Sequence, residues 1–263
     1  MQIFLMTTII FFFAILMTMA GRGGGNYYVL TLALFSVPMH EAATTGQLIL
    51  FVCAISATFI FGKKHTIEWK LFLFIGAQTT IFAFLGGYFS NYFSGQTLKY
   101  VFSFFLLIAS LLMFKPIGKS GKNKNSTSWY YWCFKTKIQL YEINLIITIP
   151  LICATGFFAG MVGVSGGSFL IPLMVLICRT PMKNAVGTSI ALVSATAFTG
   201  FIGHTISGHF NYEIALPVVI GAAIGGIIGS SFVIKTKPKI LKQLFAITNL
   251  GAAIIMYINA YIN

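Results

Sequence analysis

Long apolar stretches alternate with short polar ones along the whole chain and predict ten helical segments. The segments run over 3–20, 27–39, 44–61, 69–90, 98–114, 143–163, 168–178, 186–206, 212–234 and 240–259. Most approach the roughly 20 residues that a helix needs to cross a bilayer, but the second and seventh are shorter. The pattern predicts an all-α polytopic membrane protein with a repeat at 1–114, a basic cytoplasmic linker at 115–142 and a second repeat at 143–263.

The two halves resemble each other in sequence. Pro38-Met39-His40-Glu41-Ala42 aligns with Pro181-Met182-Lys183-Asn184-Ala185, and the glycine break at 23–26 aligns with the one at 164–168. Internal repeats of this kind are characteristic of secondary transporters. Each half is therefore expected to hold four long helices and one short helix, which either crosses the membrane or is the returning arm of a broken hairpin.

The positions of the cations predict that the second half is inverted. If the linker is cytoplasmic, fifteen of the 17 Lys and Arg residues fall on that side, leaving Lys99 opposite and Arg22 unassigned. Parallel halves would place the 235–242 cluster outside, against the positive-inside rule. Loops 62–70, 115–142 and 235–242 are thus predicted to be cytoplasmic, with 91–97 and 207–211 opposite. The same rule explains the net charge of +13 without a nucleic-acid partner.

The composition excludes a soluble protein and offers no catalytic or metal-binding group. The chain is 57% hydrophobic and 8% charged, with a mean hydropathy of +0.90, which is typical of membrane proteins. The four cysteines form no CxxC pair, and the sequence contains no nucleotide-binding or zinc-protease motif. We therefore predict that the protein is not an enzyme and has no cofactor and no metal.

The glycine breaks are the candidate binding sites. Gly163, Ser165, Gly166, Gly167 and Ser168 precede the seventh segment, with Ser168 as the expected N-cap. Helix N-termini bind anions through their N–H groups and their positive dipole end. An inverted repeat would direct the first break, at Gly24, Gly25 and Asn26, toward the same cavity. The alternative is that these glycines only pack helices or permit a turn.

A cation and four hydroxyls lie near these breaks. Arg22 sits in the first break, where an intramembrane charge indicates function unless the side chain snorkels to the interface. Thr44 and Thr45 follow the first short segment, and Thr188 and Ser189 follow the second at matching positions. Their hydroxyls would either complete an oxyanion shell or bond back to their own helices.

The second half carries a pattern that resembles the sulfite exporter TauE/SafE family. The pattern is Gly156-x3-Gly160-x2-Gly163-Val164-Ser165-Gly166-Gly167-Ser168-x3-Pro172, followed by Pro181-x3-Ala185-Val186-Gly187-Thr188-Ser189. The resemblance implies a small multi-pass transporter of the bacterial cytoplasmic membrane that exports sulfite, sulfonates or related organic anions. Ser165 and Arg22 depart from the family's usual pattern.

The expected function is secondary transport, in the export direction, of a small sulfur-containing or organic anion. The expected partners are that anion and the lipid bilayer, while the oligomeric state, a homodimer included, stays open. The alternative is a membrane scaffold or assembly factor that transports nothing, in which the glycine breaks serve only packing.

Overall fold

The computed structural model describes residues 2–90, 95–114, 129–135, 140–162, 167–206 and 212–262. Within these ranges the chain forms ten helices and one β-hairpin. They are α1 (Gln2–Ala20), α2 (Gly25–Leu34), α3 (Met39–Lys63), α4 (Trp69–Ser90), α5 (Gly95–Phe114), β1 (Tyr131–Lys135), β2 (Leu140–Asn144), α6 (Leu145–Val162), α7 (Gly167–Pro172), α8 (Met182–Ile206), α9 (Tyr212–Lys235) and α10 (Pro238–Ile262). The ten predicted segments correspond to these helices one to one.

Among the helix starts, the largest differences lie at α3 and α8, which begin five and four residues before the predicted apolar segments. Among the ends, α2 stops at Leu34, five residues before the predicted 39, and α7 stops at Pro172, where a π-helical turn continues to Ile177. Pro38 stands directly before α3 with φ −53° and ψ 139°, and its carbonyl accepts from Ala42 N–H at 2.8 Å. The carbonyl of Pro181 accepts from Ala185 N–H at 2.9 Å in the same way. The prolines therefore set both starts, and the polar residues after them form the first helical turn.

The chain divides into two compact units, and each draws helices from both sequence halves. The first unit comprises Met1–Ile67 and Val186–Lys237, and the second comprises Glu68–Ala185 and Pro238–Asn263. The first therefore holds α1, α2, α3, α9 and most of α8. The second holds α4 to α7, the hairpin and α10.

Glycines on α9 bring it close to two neighbours in the first unit. A Cβ at Gly225 would lie 2.6 Å from Ala14 Cβ, and one at Gly229 would lie 2.7 Å from Ile15 O, both on α1. Gly226 faces the carbonyl of Cys53 on α3 in the same way. Small residues of this kind allow close packing of helices within a membrane, where the hydrophobic effect does not hold helices together.

The second unit is built on two helix pairs, α4 with α6 and α5 with α10. A Cβ at Gly156 of α6 would lie 3.0 Å from the Cα of Thr79 on α4, so the two helices approach closely at this glycine. On the other pair, Ser110 Oγ donates to Ala246 O at 2.8 Å. Each pair therefore joins an element of the first sequence half to one of the second.

Part of the predicted linker is ordered as an antiparallel β-hairpin, in which Cys133 pairs with Glu142. Its aromatic side chains pack on α4, with Trp132 and Phe74 ring centroids 4.8 Å apart. Tyr141 donates to Glu68 Oε1 at 3.1 Å in a buried hydrogen bond. Burial, together with the nearby Glu68 carboxylate, raises the pKa of Tyr141 above its usual value. The hydroxyl therefore stays protonated and remains a donor.

Three stretches among the described helices combine the length and hydropathy needed to cross a membrane. They are Gln2–Ala20, Thr44–Lys63 and Tyr212–Lys235. All three lie in the first unit, and they match the expectation of a helical membrane protein.

Candidate functional site

In the structure, the first glycine break comprises residues 21–24, between the end of α1 and the start of α2. It begins with a Schellman motif at the end of α1. Gly21 N–H donates to Thr18 O at 3.0 Å, and Arg22 N–H donates to Met17 O at 3.1 Å, which is the bond pattern of that motif. Gly21 supplies its left-handed residue with φ 70°. The motif satisfies two carbonyls of the helix end and places Arg22 directly beyond it.

Gly23 and Gly24 complete the break in conformations that exclude side chains. Their φ values are 77° and 76°, a region that residues with a Cβ avoid. A Cβ at Gly23 would lie 2.5 Å from Val193 Cγ1 of α8 and 2.7 Å from Leu50 Cδ1 of α3. The backbone therefore lies against both helices. α2 begins at this point, and the first N–H groups of a helix have no partner within the helix.

Arg22 lies in this break and is only 6% exposed. Its guanidinium is hydrogen-bonded to the side chain of Tyr27 in α2, and the Tyr27 ring stacks on Phe13 of α1 at a centroid distance of 5.3 Å. A snorkelling side chain would run along a lipid-facing surface, whereas this one is inside the protein. A buried cation beside a helix N-terminus is an arrangement that suits an anion.

The predicted hydroxyls are buried, and one of them reaches the break. Ser189 Oγ, on α8, donates to Gly21 O at 2.8 Å, so it holds the backbone of the break instead of bonding to its own helix. Thr44, Thr45 and Thr188 are each buried. Among the described residues, Thr45 Oγ1 has no hydrogen-bond partner, so this hydroxyl is able to bind a ligand. The side chain of Asn26 lies outside what the structure describes.

The second break is described only in part, because Gly163, Ser165 and Gly166 lie outside the described residues. Gly167 and Ser168 are both buried in the second unit. α7 begins at Gly167, so Ser168 is the second residue of its first turn, and the prediction that Ser168 is the N-cap is wrong.

A proline and an asparagine shape the helix that follows. Pro172 has no N–H, so the carbonyl of Ser168 loses the bond that residue 172 would donate in a regular α-helix. Asn249, on α10, replaces it by donating Nδ2 to Ser168 O at 3.2 Å. After Pro172 the chain forms a π-helical turn over Leu173–Ile177, a feature that is frequent at functional sites.

Asn249 is the functional candidate that sequence reasoning missed. It is fully buried, and its Oδ1 has no hydrogen-bond partner among the described residues. The available signal was one amide in the apolar part of α10, together with the missing N–H that Pro172 implies four residues after Ser168. Gln78 on α4 is similar. Its side-chain oxygen, Oε1, is buried and has no hydrogen-bond partner among the described residues.

The structure therefore describes two local sites. In the first unit it brings together Arg22, the glycines at 23–25 and Ser189. Thr45 lies on α3, which contacts the break through Leu50. In the second unit it brings together Ser168 and Asn249. The prediction that both breaks share one cavity concerns the arrangement of the two units and stays a prediction. Among the described residues, no group of three or more His, Cys, Asp or Glu side chains is placed to hold a metal ion.

Apolar helices that can span a bilayer, packed through glycines and interrupted by glycine breaks, are the features of a helical membrane transporter. The family model described as "Sulfite exporter TauE/SafE" matches residues 6–256. The chain belongs to this family, and it is a membrane transporter.

Curated relatives carry consistent names. The "Probable membrane transporter protein YunE" of Bacillus subtilis is 30% identical, over 88% of each chain. YdhB of the same organism, with the same description, is 21% identical over 96% of this chain and 99% of its own. A similarly named protein of Methanocaldococcus jannaschii is 26% identical over 88% of this chain and 84% of its own. No solved structure matches the chain.

Proposed function

We propose that this protein exports a small sulfur-containing or organic anion, such as sulfite or a sulfonate, across the bacterial cytoplasmic membrane as a secondary transporter. The observation that carries the proposal is the buried guanidinium of Arg22 at the glycine break before α2. The family description, which names sulfite export, supports the class of substrate.

The chemistry of the first break suits an oxyanion. A guanidinium presents its donors in a planar fork that pairs with two oxygens of one anion. The N–H groups in the first turn of α2 and the positive end of its dipole add further stabilisation. Because water is excluded around Arg22, these interactions are stronger than on a surface. Tyr27 holds the guanidinium in place before the anion arrives.

An inverted repeat is part of the proposal. α6, α8 and α10 each begin 143 residues after α1, α3 and α5 respectively. α1 packs on α9 in the first unit, and α6 packs on α4 in the second. These are equivalent pairs if the halves correspond helix by helix, so the packing supports a repeat. The cation distribution supports its inversion.

Topology can be tested with single cysteines in a variant that lacks the four native ones. Positions 64 and 237 should be protected from a membrane-impermeant maleimide in intact cells and should react after the membrane is opened. Position 96, in the predicted outer loop 91–97, should react in intact cells. Strong labelling at 237 in intact cells would refute the inverted arrangement.

Transport itself is tested by flux with purified protein in liposomes. Radiolabelled sulfite and methanesulfonate should exchange across the membrane faster than in empty liposomes, while choline should not. Preloaded unlabelled anion should accelerate uptake by counterflow, as expected for a carrier. If none of the anions moves while the protein is folded and correctly inserted, the proposed function is wrong.

A further inference from the structure

An apolar groove of about 390 Å³ opens within the second unit, between α5, α6 and the short helix α7 with its π-helical turn. On α5 it extends from Phe105 to Leu112, and on α6 from Leu151 to Phe158. α5 runs toward the linker and α6 runs away from it. Leu112 and Leu151 therefore lie at the linker end of the groove, and the two phenylalanines lie at the other end.

The groove offers nothing to a polar ligand. Among its described lining residues, Thr155 alone has a polar side chain, and its hydroxyl already donates to Ile152 O at 2.9 Å. The far end is closed by aromatic rings, with centroids 4.4 Å apart for Phe105 and Phe158 and 6.3 Å apart for Phe105 and Phe169. An anion would lose its hydration here without compensation, so the groove is not a second substrate site.

The open side of the groove continues into the lipid-facing surface. Ile108, Leu112 and Leu151 line it and are 37%, 37% and 39% exposed. Leu111 and Ile147, on the same two helices, are more exposed still. In a membrane transporter such apolar side chains face acyl chains, so the hydrocarbon that surrounds the protein has direct access to the groove.

Positive charge marks the linker end. Ile177 lines the groove there, and Arg179, two residues later, is exposed. In sequence, Lys115 follows the last residue of α5 directly. Basic groups between membrane helices on the cytoplasmic side attract anionic lipid headgroups. Among the described residues, the groove thus combines an apolar slot with a cation, Arg179, near the end where a headgroup would sit.

We propose that this groove binds one acyl chain of an anionic phospholipid, whose phosphate lies beside Arg179. The acyl chain would pack against Leu173 and Leu176 of the π-helical turn. It would thereby fill the space behind a short helix whose regular hydrogen bonding is already interrupted at Pro172. Lipid occupancy then stabilises one position of that helix. The inference rests on the proposed topology, in which the linker end of the groove is cytoplasmic, and not on the identity of the transported anion.

The test uses the full-length protein and a phosphatidylglycerol that carries a diazirine near the end of one acyl chain. After illumination, mass spectrometry should find the lipid adduct on peptides that contain 151–158 or 169–177. Ala154→Phe, which fills the groove, should reduce this adduct by roughly an order of magnitude, because each methylene excluded from the apolar slot removes favourable burial. Ile146→Phe is the matched control: this side chain lies on the same helix, is 58% exposed and is turned away from the face of α6 that lines the groove, so labelling should be unchanged.

A second variant guards against misfolding of the first. Leu112→Trp blocks the groove from its partly exposed mouth and should cause the same loss of adduct in a monodisperse protein. An adduct that persists in both variants would overturn the proposal. So would labelling that is spread evenly over the lipid-facing surface.

The headgroup is tested separately with a phosphatidylcholine probe that carries the same photoreactive chain. Phosphatidylglycerol should label the groove more strongly than phosphatidylcholine, and Arg179→Gln should remove the difference. Equal labelling by the two lipids in the unmodified protein would overturn the assignment to an anionic phospholipid.

Discussion

The two short helices occupy corresponding places in the two sequence halves, yet different interactions hold them. α2 spans Gly25–Leu34, and α7 with its π-helical turn spans Gly167–Ile177. A left-handed residue follows each of them, Ser36 with φ 63° and Arg179 with φ 52°, and a proline stands two residues further on in both cases. The ends of the two helices are therefore alike.

Their beginnings differ. The break before α2 depends on left-handed glycines, and Ser189 donates to the carbonyl of Gly21. The helix after the second break lacks one N–H because of Pro172, and Asn249 donates to the carbonyl of Ser168. In each unit a side chain from another helix satisfies a backbone carbonyl near the break, but residue type and helix differ. The two halves thus end their short helices alike, whereas the described polar contacts near each break are individual.

The largest effect is expected from a methyl group at the left-handed glycines. Gly24→Ala forces φ 76° on an alanine and places its Cβ 2.6 Å from Met17 Cγ. Strain and overpacking together should cost roughly 2–5 kcal/mol of stability. Gly167→Ala, at the corresponding place in the second unit, alters a helical residue and should cost much less. Thermal denaturation in detergent compares the two, and equal losses would show that the breaks are conformationally equivalent.

The sequence predicted the helices well because their signals are local. Apolar length located all ten, but it misplaced the starts set by Pro38 and Pro181 and the end of α2, which lies at Leu34 instead of 39. Gly24, Gly25 and Arg22 were singled out because glycines and an intramembrane cation are conspicuous in apolar runs. Asn249 was missed because its importance depends on a carbonyl 81 residues away, and no local pattern indicates such a contact.

The next effect tests the proposal that the first break recognises the anion, because the sequence places a cation, Arg22, in that break and none at 164–168. Arg22→Gln removes both the charge and the planar fork, whereas Arg22→Lys keeps the charge. Charge-assisted hydrogen bonds contribute about 1.5–3 kcal/mol, so the Gln variant should bind the anion about ten- to a hundred-fold more weakly. The Lys variant should be intermediate. Competition flux in liposomes at matched protein content measures both.

Lys237→Gln is the control for this change, since it removes one exposed cation distant in sequence from the first break. The affinity of the Lys237→Gln variant for the anion should be unchanged. If Arg22→Gln also leaves affinity unchanged, Arg22 does not bind the anion, and the helix N-termini are left as the candidate groups.

A smaller effect on stability is expected from the contact between Asn249 and Ser168, at the helix that follows the second break. Asn249→Leu removes the Nδ2 hydrogen bond to the carbonyl of Ser168 and should destabilise the protein by about 1–2 kcal/mol. Pro172→Ala restores an N–H at the position that normally donates to that carbonyl. In the Pro172→Ala background, Asn249→Leu should therefore cost much less. A double-mutant cycle by thermal denaturation measures the coupling, and additive losses would contradict the proposed compensation.

The smallest effect tests the corresponding contact of the first break. Ser189→Ala removes the hydroxyl that donates to Gly21 O at 2.8 Å, and interhelical hydrogen bonds in membranes average about 0.6 kcal/mol. Ser194→Ala is the matched control, because Ser194 lies on the same helix, is also buried, and donates only to Ala191 O of its own helix. The Ser194→Ala variant should lose even less stability than Ser189→Ala. Because the hydroxyl of Ser189 positions the backbone beside Arg22, Ser189→Ala should also weaken anion affinity in the flux assay, whereas Ser194→Ala should not. If both variants lose the same stability and keep full affinity, Ser189 packs α8 without positioning the break.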